Sequence, residues 1–96
     1  RPVMAILMRS ELQGVTAEQI QPFIAQTLGQ MQSFPGFIAQ ASGPIPGGYQ
    51  VSEVWESQEA HERWLREVIA PQAALQLGLT EAPSAVYLPL DQFVTR

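Results

Sequence analysis

The stretch Val3-Met4-Ala5-Ile6-Leu7-Met8-Arg9-Ser10-Glu11-Leu12 decides the fold. Alternation predicts a strand: Val3, Ala5, Leu7 and Arg9 fall on one face, and Met4, Ile6, Met8 and Ser10 on the other. Both faces are apolar over most of its length. A one-sided antiparallel strand would turn polar residues to water. This one therefore reads as covered on both sides.

Working outward, Gly14-Val15-Thr16 ends the strand and opens a helix. Thr16 with Gln19 three residues on forms a capping box, and Glu18 suits the positive helix start. Ile20, Phe23, Ile24, Leu28, Met31 and Phe34 recur at helical spacing. Pro22 predicts a kink or a later helix start, because it lacks an amide proton and crowds the preceding turn. Pro35-Gly36 stops the helix. Phe37 to Ser42 reads as a second strand, residues 43–48 as a turn or hairpin loop, and Tyr49 to Trp55 as a third strand. On that third strand Tyr49, Val51, Glu53 and Trp55 share a face.

Ser57 caps a second helix, with Glu59 in its first turn. His61, Trp64, Leu65 and Val68 form its inward face. Glu59/Arg63, Glu62/Arg66 and Arg63/Glu67 are spaced for ion pairs on the outer side. Pro71 should bend or end this helix, with Ala73 to Leu79 as a short extension closed by Gly78. Glu81-Ala82-Pro83 is loop, and Ala85 to Val94 a last strand in which Pro89 implies an edge, a bulge or a break. The order is β-α-β-β-α-β in one domain spanning residues 1–96. Two helices cover one face of a four-stranded sheet, and the other face is left apolar. The expected resolution is a homodimer with sheets packed face to face.

Composition narrows the function. In 96 residues, 46% are hydrophobic, an excess for so small a sphere that again points to a covered surface. The net charge is −4, there is no lysine, and five arginines supply every cation. No basic stripe exists to neutralise phosphates, which argues against nucleic-acid and anionic membrane partners. No cysteine means no disulfide and no zinc–thiolate site, which is compatible with a cytoplasmic location. No stretch approaches the ~18 apolar residues of a membrane span. The opening Arg1-Pro2-Val3-Met4 lacks the layout of a signal peptide. One histidine among scattered carboxylates makes no metal site, and the glycine–proline run at 43–48 lacks the lysine and helix start of a phosphate loop.

The element order resembles the small ferredoxin-like proteins of the dimeric α+β barrel superfamily, and within it the antibiotic biosynthesis monooxygenase-like group. Three segments carry the resemblance: Gly14-Val15-Thr16-Ala17-Glu18-Gln19, Pro46-Gly47-Gly48-Tyr49-Gln50-Val51 and Val54-Trp55-Glu56-Ser57-Gln58-Glu59-Ala60. The resemblance implies a ferredoxin-like α+β fold, a dimer, and a cavity between sheet and helices in each subunit. Members of the group include cofactor-independent oxygenases of aromatic polyketides, haem-degrading oxygenases and small-ring isomerases. The oxygenases commonly use an asparagine, and this sequence contains none. The haem-degrading pattern of an asparagine with a tryptophan and a separate histidine ligand is therefore not met.

The candidate catalytic residues are His61 and Glu53. His61 could act as a general base or hydrogen-bond a bound phenol, or be a satisfied core histidine. Glu53 could act as a base, or pair with Arg9 across the sheet or the dimer. Tyr49, Trp55, Trp64 and Tyr87, with Arg9, are the candidate pocket residues, and ordinary core packing is the competing reading of the aromatics. The resulting expectation is an enzyme similar to the monooxygenases, acting on an aromatic or hydrophobic small molecule with no cofactor. The alternative is a non-catalytic dimer that binds a small ligand or a protein.

Overall fold

The computed structural model describes residues 5–76, 78 and 84–96. Val3 and Met4 of the opening stretch, Leu79 and the 81–83 loop lie outside them. Strand β1 (Ile6–Gln13) is followed by helix α1 (Ala17–Gln32), β2 (Phe37–Ile45), β3 (Gly48–Trp55) and α2 (Gln58–Trp64). A π-helical turn (Leu65–Ile69), α3 (Ala70–Gln76) and β4 (Ala85–Pro89) complete the order. The sheet runs β2-β3-β1-β4 and every pairing is antiparallel.

Local chemistry explains the helix starts. The Thr16 side chain accepts from the Gln19 amide, and the Gln19 side chain accepts from the Thr16 amide, closing the capping box. Ser57 Oγ accepts from the Ala60 amide. Helix α1 does not wait for Pro22. It starts at Ala17 and runs through the proline to Gln32. Proline removes the bond to the Glu18 carbonyl, but Glu18 and Pro22 are exposed, so water can serve that carbonyl. The buried face of Ile20, Phe23, Thr27 and Met31 holds the helix on the sheet. Leu28, placed by spacing in that stripe, is 43% exposed.

The second proline is absorbed differently. The helical run does not end at Pro71, which lies in the first turn of α3; the five-residue π turn precedes it, with the Ala70 amide donating to the Leu65 carbonyl. Widening the turn accommodates a residue that has no amide proton to give. Of the three helix-spaced ion pairs, only Arg63–Glu67 forms, at 2.8 Å. The hairpin turn is also shorter than the glycine–proline run suggests. Only Pro46 and Gly47 form it, Gly47 at φ 76°, and residues 43–45 extend the edge strand β2. Gly36 is required where α1 hands over to β2. Its φ is 92°, and an added Cβ would lie 2.6 Å from the Ala60 Cβ.

The sheet presents two unlike faces. Beneath the helices, Met8, Trp55, Met31 and Trp64 form one buried cluster, and Ile20, Phe23, Tyr49 and Ala73 another. On the other face one in-register row crosses all four strands: Ala39, Val54, Leu7 and Leu88. The next row is Ala41, Ser52, Arg9 and Val86. So β1 is not apolar on both faces throughout: beyond Leu7 its outer face carries Arg9, Glu11 and Gln13. The uncovered apolar surface comes instead from neighbouring strands, with Val86 57% and Leu88 47% exposed. Pro89 closes β4, an edge strand, which therefore ends before Val94.

Candidate functional site

Strand register builds the site. A helix-facing row places Gln40 on β2, Glu53 on β3, Met8 on β1 and Tyr87 on β4 side by side. From above, α2 lowers His61 onto this row. Its Nδ1 lies 2.8 Å from the Tyr87 hydroxyl, and its Nε2 lies 3.6 Å from Glu53 Oε1. Glu53 is further held by two donors: Trp55 Nε1 to Oε1 and Gln40 Nε2 to Oε2, both at 2.9 Å. The result is a continuous polar line of Tyr87, His61, Glu53 and Gln40, with Glu53 4% and His61 1% exposed.

Burial sets the electrostatics. Desolvation raises the Glu53 carboxyl, against the lowering effect of its Gln40 and Trp55 donors. The same cause lowers His61 from 6.5 to about 4, opposed by the charge of Glu62. Tyr87 is raised by desolvation and by nearby carboxylates. His61 is thus neutral at pH 7. A carboxylate beside Nε2 favours the proton there, which leaves Nδ1 to accept from the Tyr87 hydroxyl.

One side of this line opens on a cavity between sheet and helices. Its floor is Met8, Leu12 and Val51; α1 supplies Ile20, Phe23 and Met31; Trp64, Leu65 and Ile69 close it from the other helical segment. The lining is mostly apolar, and Ser10, Thr27, Gln40, Glu53 and His61 are its polar members. The centre of a water molecule can range over about 90 Å³ inside it, against the ~10–15 Å³ that one water requires.

The sequence candidates separate accordingly. Glu53, His61 and Trp64 line the cavity. Trp55 is fully buried in an aromatic cluster with Phe34, Phe37 and Trp64, and reaches the site through its indole N–H. Tyr87 stands behind His61. Tyr49 packs in the second cluster, its hydroxyl 3.4 Å from Ser42 Oγ. Arg9 lies on the opposite face, paired at 3.5 Å with Glu11, so the Glu53–Arg9 pair does not form within the protomer. Alternation forbids it, because Arg9 is offset by one residue from Met8, the partner of Glu53. Residues not anticipated are Gln40, Thr27 and Ser10. Among the described residues no cluster of three or more potential metal ligands occurs, and no helix is long and apolar enough to cross a membrane.

Comparison with solved structures identifies the fold. The haem-degrading protein Rv3592 from Mycobacterium tuberculosis is 20% identical over 99% of this chain and 100% of its own, with a TM-score of 0.66. SnoaB, a cofactor-independent oxygenase from Streptomyces nogalater, is 15% identical over 98% and 97%, with a TM-score of 0.63. The chain has the ferredoxin-like fold of these proteins. Antibiotic biosynthesis monooxygenase-like proteins are among the structures that share it. So is a dimeric ferredoxin-like protein of unknown function from Thermobifida fusca, 15% identical over 91% and 92%, with a TM-score of 0.64. No family model matches the sequence, and no curated protein matches it.

Proposed function

We propose that this protein is a cofactor-independent monooxygenase-like enzyme that binds a hydroxylated aromatic molecule in the cavity and prepares it for reaction with dioxygen. The observation that carries this reading is the pairing of His61 with Glu53, backed by Tyr87, at the edge of a mostly apolar pocket. Such a pocket excludes water from a reactive anion and holds a planar ring against Trp64. Of the roles expected of the two candidates, burial favours Glu53 as the base and His61 as the donor to a bound phenol. An imidazole lowered to about 4 is a poor proton acceptor at pH 7. Desolvated Glu53 is the better base. Glu53 takes the phenolic proton, and His61, positioned by Tyr87, donates through Nε2–H to the phenolate oxygen. The phenolate passes an electron to dioxygen, and the radical pair joins at a ring carbon. For 1-naphthol the overall change is C10H8O + O2 → C10H6O2 + H2O: one oxygen atom enters at the para carbon, and the other leaves as water.

Haem fits this site poorly. His61 is the sole histidine; its Nδ1 accepts from Tyr87 and its Nε2 carries the proton, so neither nitrogen offers a lone pair to an iron. The assembly that supports the site is a homodimer, in which the row Ala39–Val54–Leu7–Leu88 of each protomer packs against its mate.

The test is oxygen uptake with 1-naphthol as probe, and 18O2 label in the product quinone. Wild type should exceed buffer, and Glu53→Gln and His61→Ala should each fall at least 100-fold, in line with loss of an acid–base group. No uptake above buffer, or uptake unchanged in both variants, overturns the oxygenase reading. A cavity that binds 1-naphthol without turnover would instead support the ligand-binding dimer.

A further inference from the structure

The walls of the cavity are not held alike. Its floor is tied by the strand ladders of the sheet, and α1 is anchored by four buried residues, Ile20, Phe23, Thr27 and Met31. Helix α2 is anchored by His61 and Trp64, each 1% exposed. The remaining wall is one continuous segment, the π turn and α3, from which Leu65, Ile69 and Ala73 line the cavity at four-residue intervals. The π turn buries no residue fully; Leu65, Val68 and Ile69 are half-buried. On α3 only Ala73 is buried, a single methyl group, while Leu75 is 87% exposed. The close backbone neighbours of α3 lie chiefly in the π turn, not in α1 or the sheet. Among the described residues one side-chain hydrogen bond leaves α3, from Gln72 Nε2 to Gln30 Oε1 at 3.4 Å, and it lies at the surface.

The helical ladder is also loosest where this segment joins the anchored helix. The π turn widens it there, and Pro71 has no amide to donate back into that turn. Segments with few buried apolar contacts open locally, at free energies well below that of global unfolding. We infer that the π turn and α3, Leu65–Gln76, form a lid that swings from the anchored end at Trp64 to admit a ligand to the cavity, then closes Leu65, Ile69 and Ala73 over it. Opening gives up the Ala73 contact, the half-buried side chains of the π turn and the Gln72–Gln30 bond. It leaves His61 and Trp64 seated, so the pairing of His61 with Glu53 survives each cycle of entry and release. Any ligand of the cavity needs this motion, whatever chemistry follows, so the lid does not depend on the oxygenase reading.

The chain has no cysteine and no lysine, so both can be introduced as handles. Thr27, a cavity residue 2% exposed, becomes the reporter as Thr27→Cys, and the aromatic disulfide 4,4′-dithiodipyridine is the probe. In the same chain Gln30→Lys and Gln72→Lys are joined by disuccinimidyl glutarate, or acetylated as the untied control. The untied protein should be labelled faster than it unfolds globally, yet roughly tenfold or more below the rate of exposed Gln26→Cys. Tying α3 to α1 should slow labelling by a further factor of roughly ten or more. An unchanged rate in the tied protein overturns the lid. So does labelling as fast as the exposed thiol, or no faster than global unfolding. If Thr27→Cys folds poorly, amide hydrogen exchange in the wild type decides: the amides of Ile69–Gln76 should exchange about 100-fold or more faster than those of Phe23–Met31, and equal protection overturns the lid. Neither arm contains 1-naphthol or measures oxygen uptake, so the lid and the oxygenase stand or fall separately.

Discussion

Acid should destabilise this protein through His61, by an amount that follows from its burial. The ring is 1% exposed and lowered from 6.5 to about 4, with desolvation the leading cause. The unfolded chain therefore takes up a proton near pH 6.5 that the folded chain refuses until about pH 4. Stability is fully present above pH 6.5, is lost as the pH falls towards 4, and the loss levels off below that. At about 1.4 kcal/mol per pH unit, the loss reaches about 2 kcal/mol at pH 5 and about 3 kcal/mol at pH 4. Glu53 runs the other way. Its raised pKa makes the carboxylate a burden in the folded state, and acid relieves it. The comparison is therefore best made in Glu53→Gln, which removes the carboxylate; desolvation is the leading cause of the His61 shift, and losing an anion 3.6 Å from Nε2 does nothing to favour the charged ring, so the ring should stay depressed. Urea unfolding followed by the fluorescence of buried Trp55 and Trp64 gives the free energies. Between pH 7 and pH 5, Glu53→Gln should lose about 2 kcal/mol more than the double variant with His61→Gln. Parallel pH profiles for the two proteins would refute the argument that burial holds this imidazole neutral.

Three further outcomes follow from the structure. Gly36→Ala should destabilise the fold by at least about 1–2 kcal/mol from the positive φ alone, and by more if the Ala60 contact cannot relax; denaturation at pH 7 measures it. Trp55→Phe keeps a ring in the cluster but removes the indole donor to Glu53, and should cost about 1.5–3 kcal/mol at pH 7. Because that donor lowers the Glu53 carboxyl, its removal should raise the midpoint of the Glu53 titration, visible by carboxyl NMR. Leu88→Glu places a charge in the outward apolar row, and sedimentation should show a wild-type dimer shifted towards monomer at micromolar concentration; a monomeric wild type would remove the sheet-packing model.

Much of the fold was legible because it depends on local chemistry. Thr16 with Gln19, Ser57, Pro35-Gly36 and the period of each segment mark the ends and faces of the elements without reference to distant residues. Where the reading failed, a neighbour outweighed a local preference. Pro22 is tolerated because its face meets water and the opposite face is anchored. Pro71 is tolerated because a π turn widens before it. Residues 43–45 pair with β3 although they read as loop.

That last point decided how much of the site could be seen. A side chain's face follows from alternation, but its neighbours follow from register, and register is set by the turn. Once the turn is confined to Pro46 and Gly47, Ile45 pairs with Gly48, and counting back five steps sets Gln40 against Glu53. The donor that fixes the Glu53 carboxylate was thus encoded in the hairpin, hidden by the assumption of a six-residue loop. Arg9 turns away from Glu53 for a separate reason: Met8 is the β1 partner of Glu53, and odd and even positions of a strand never share a face. His61 was legible as an inward-facing residue of its helix, yet its partners Glu53 and Tyr87 are 8 and 26 residues away on strands that do not touch each other. Only the insertion of β1 between those strands, with Met8 as spacer, opens the gap into which the imidazole descends. The chemistry of the site is in this sense a property of strand order: a chain with the same residues and β3 adjacent to β4 would place Glu53 beside Tyr87 and leave His61 no position between them.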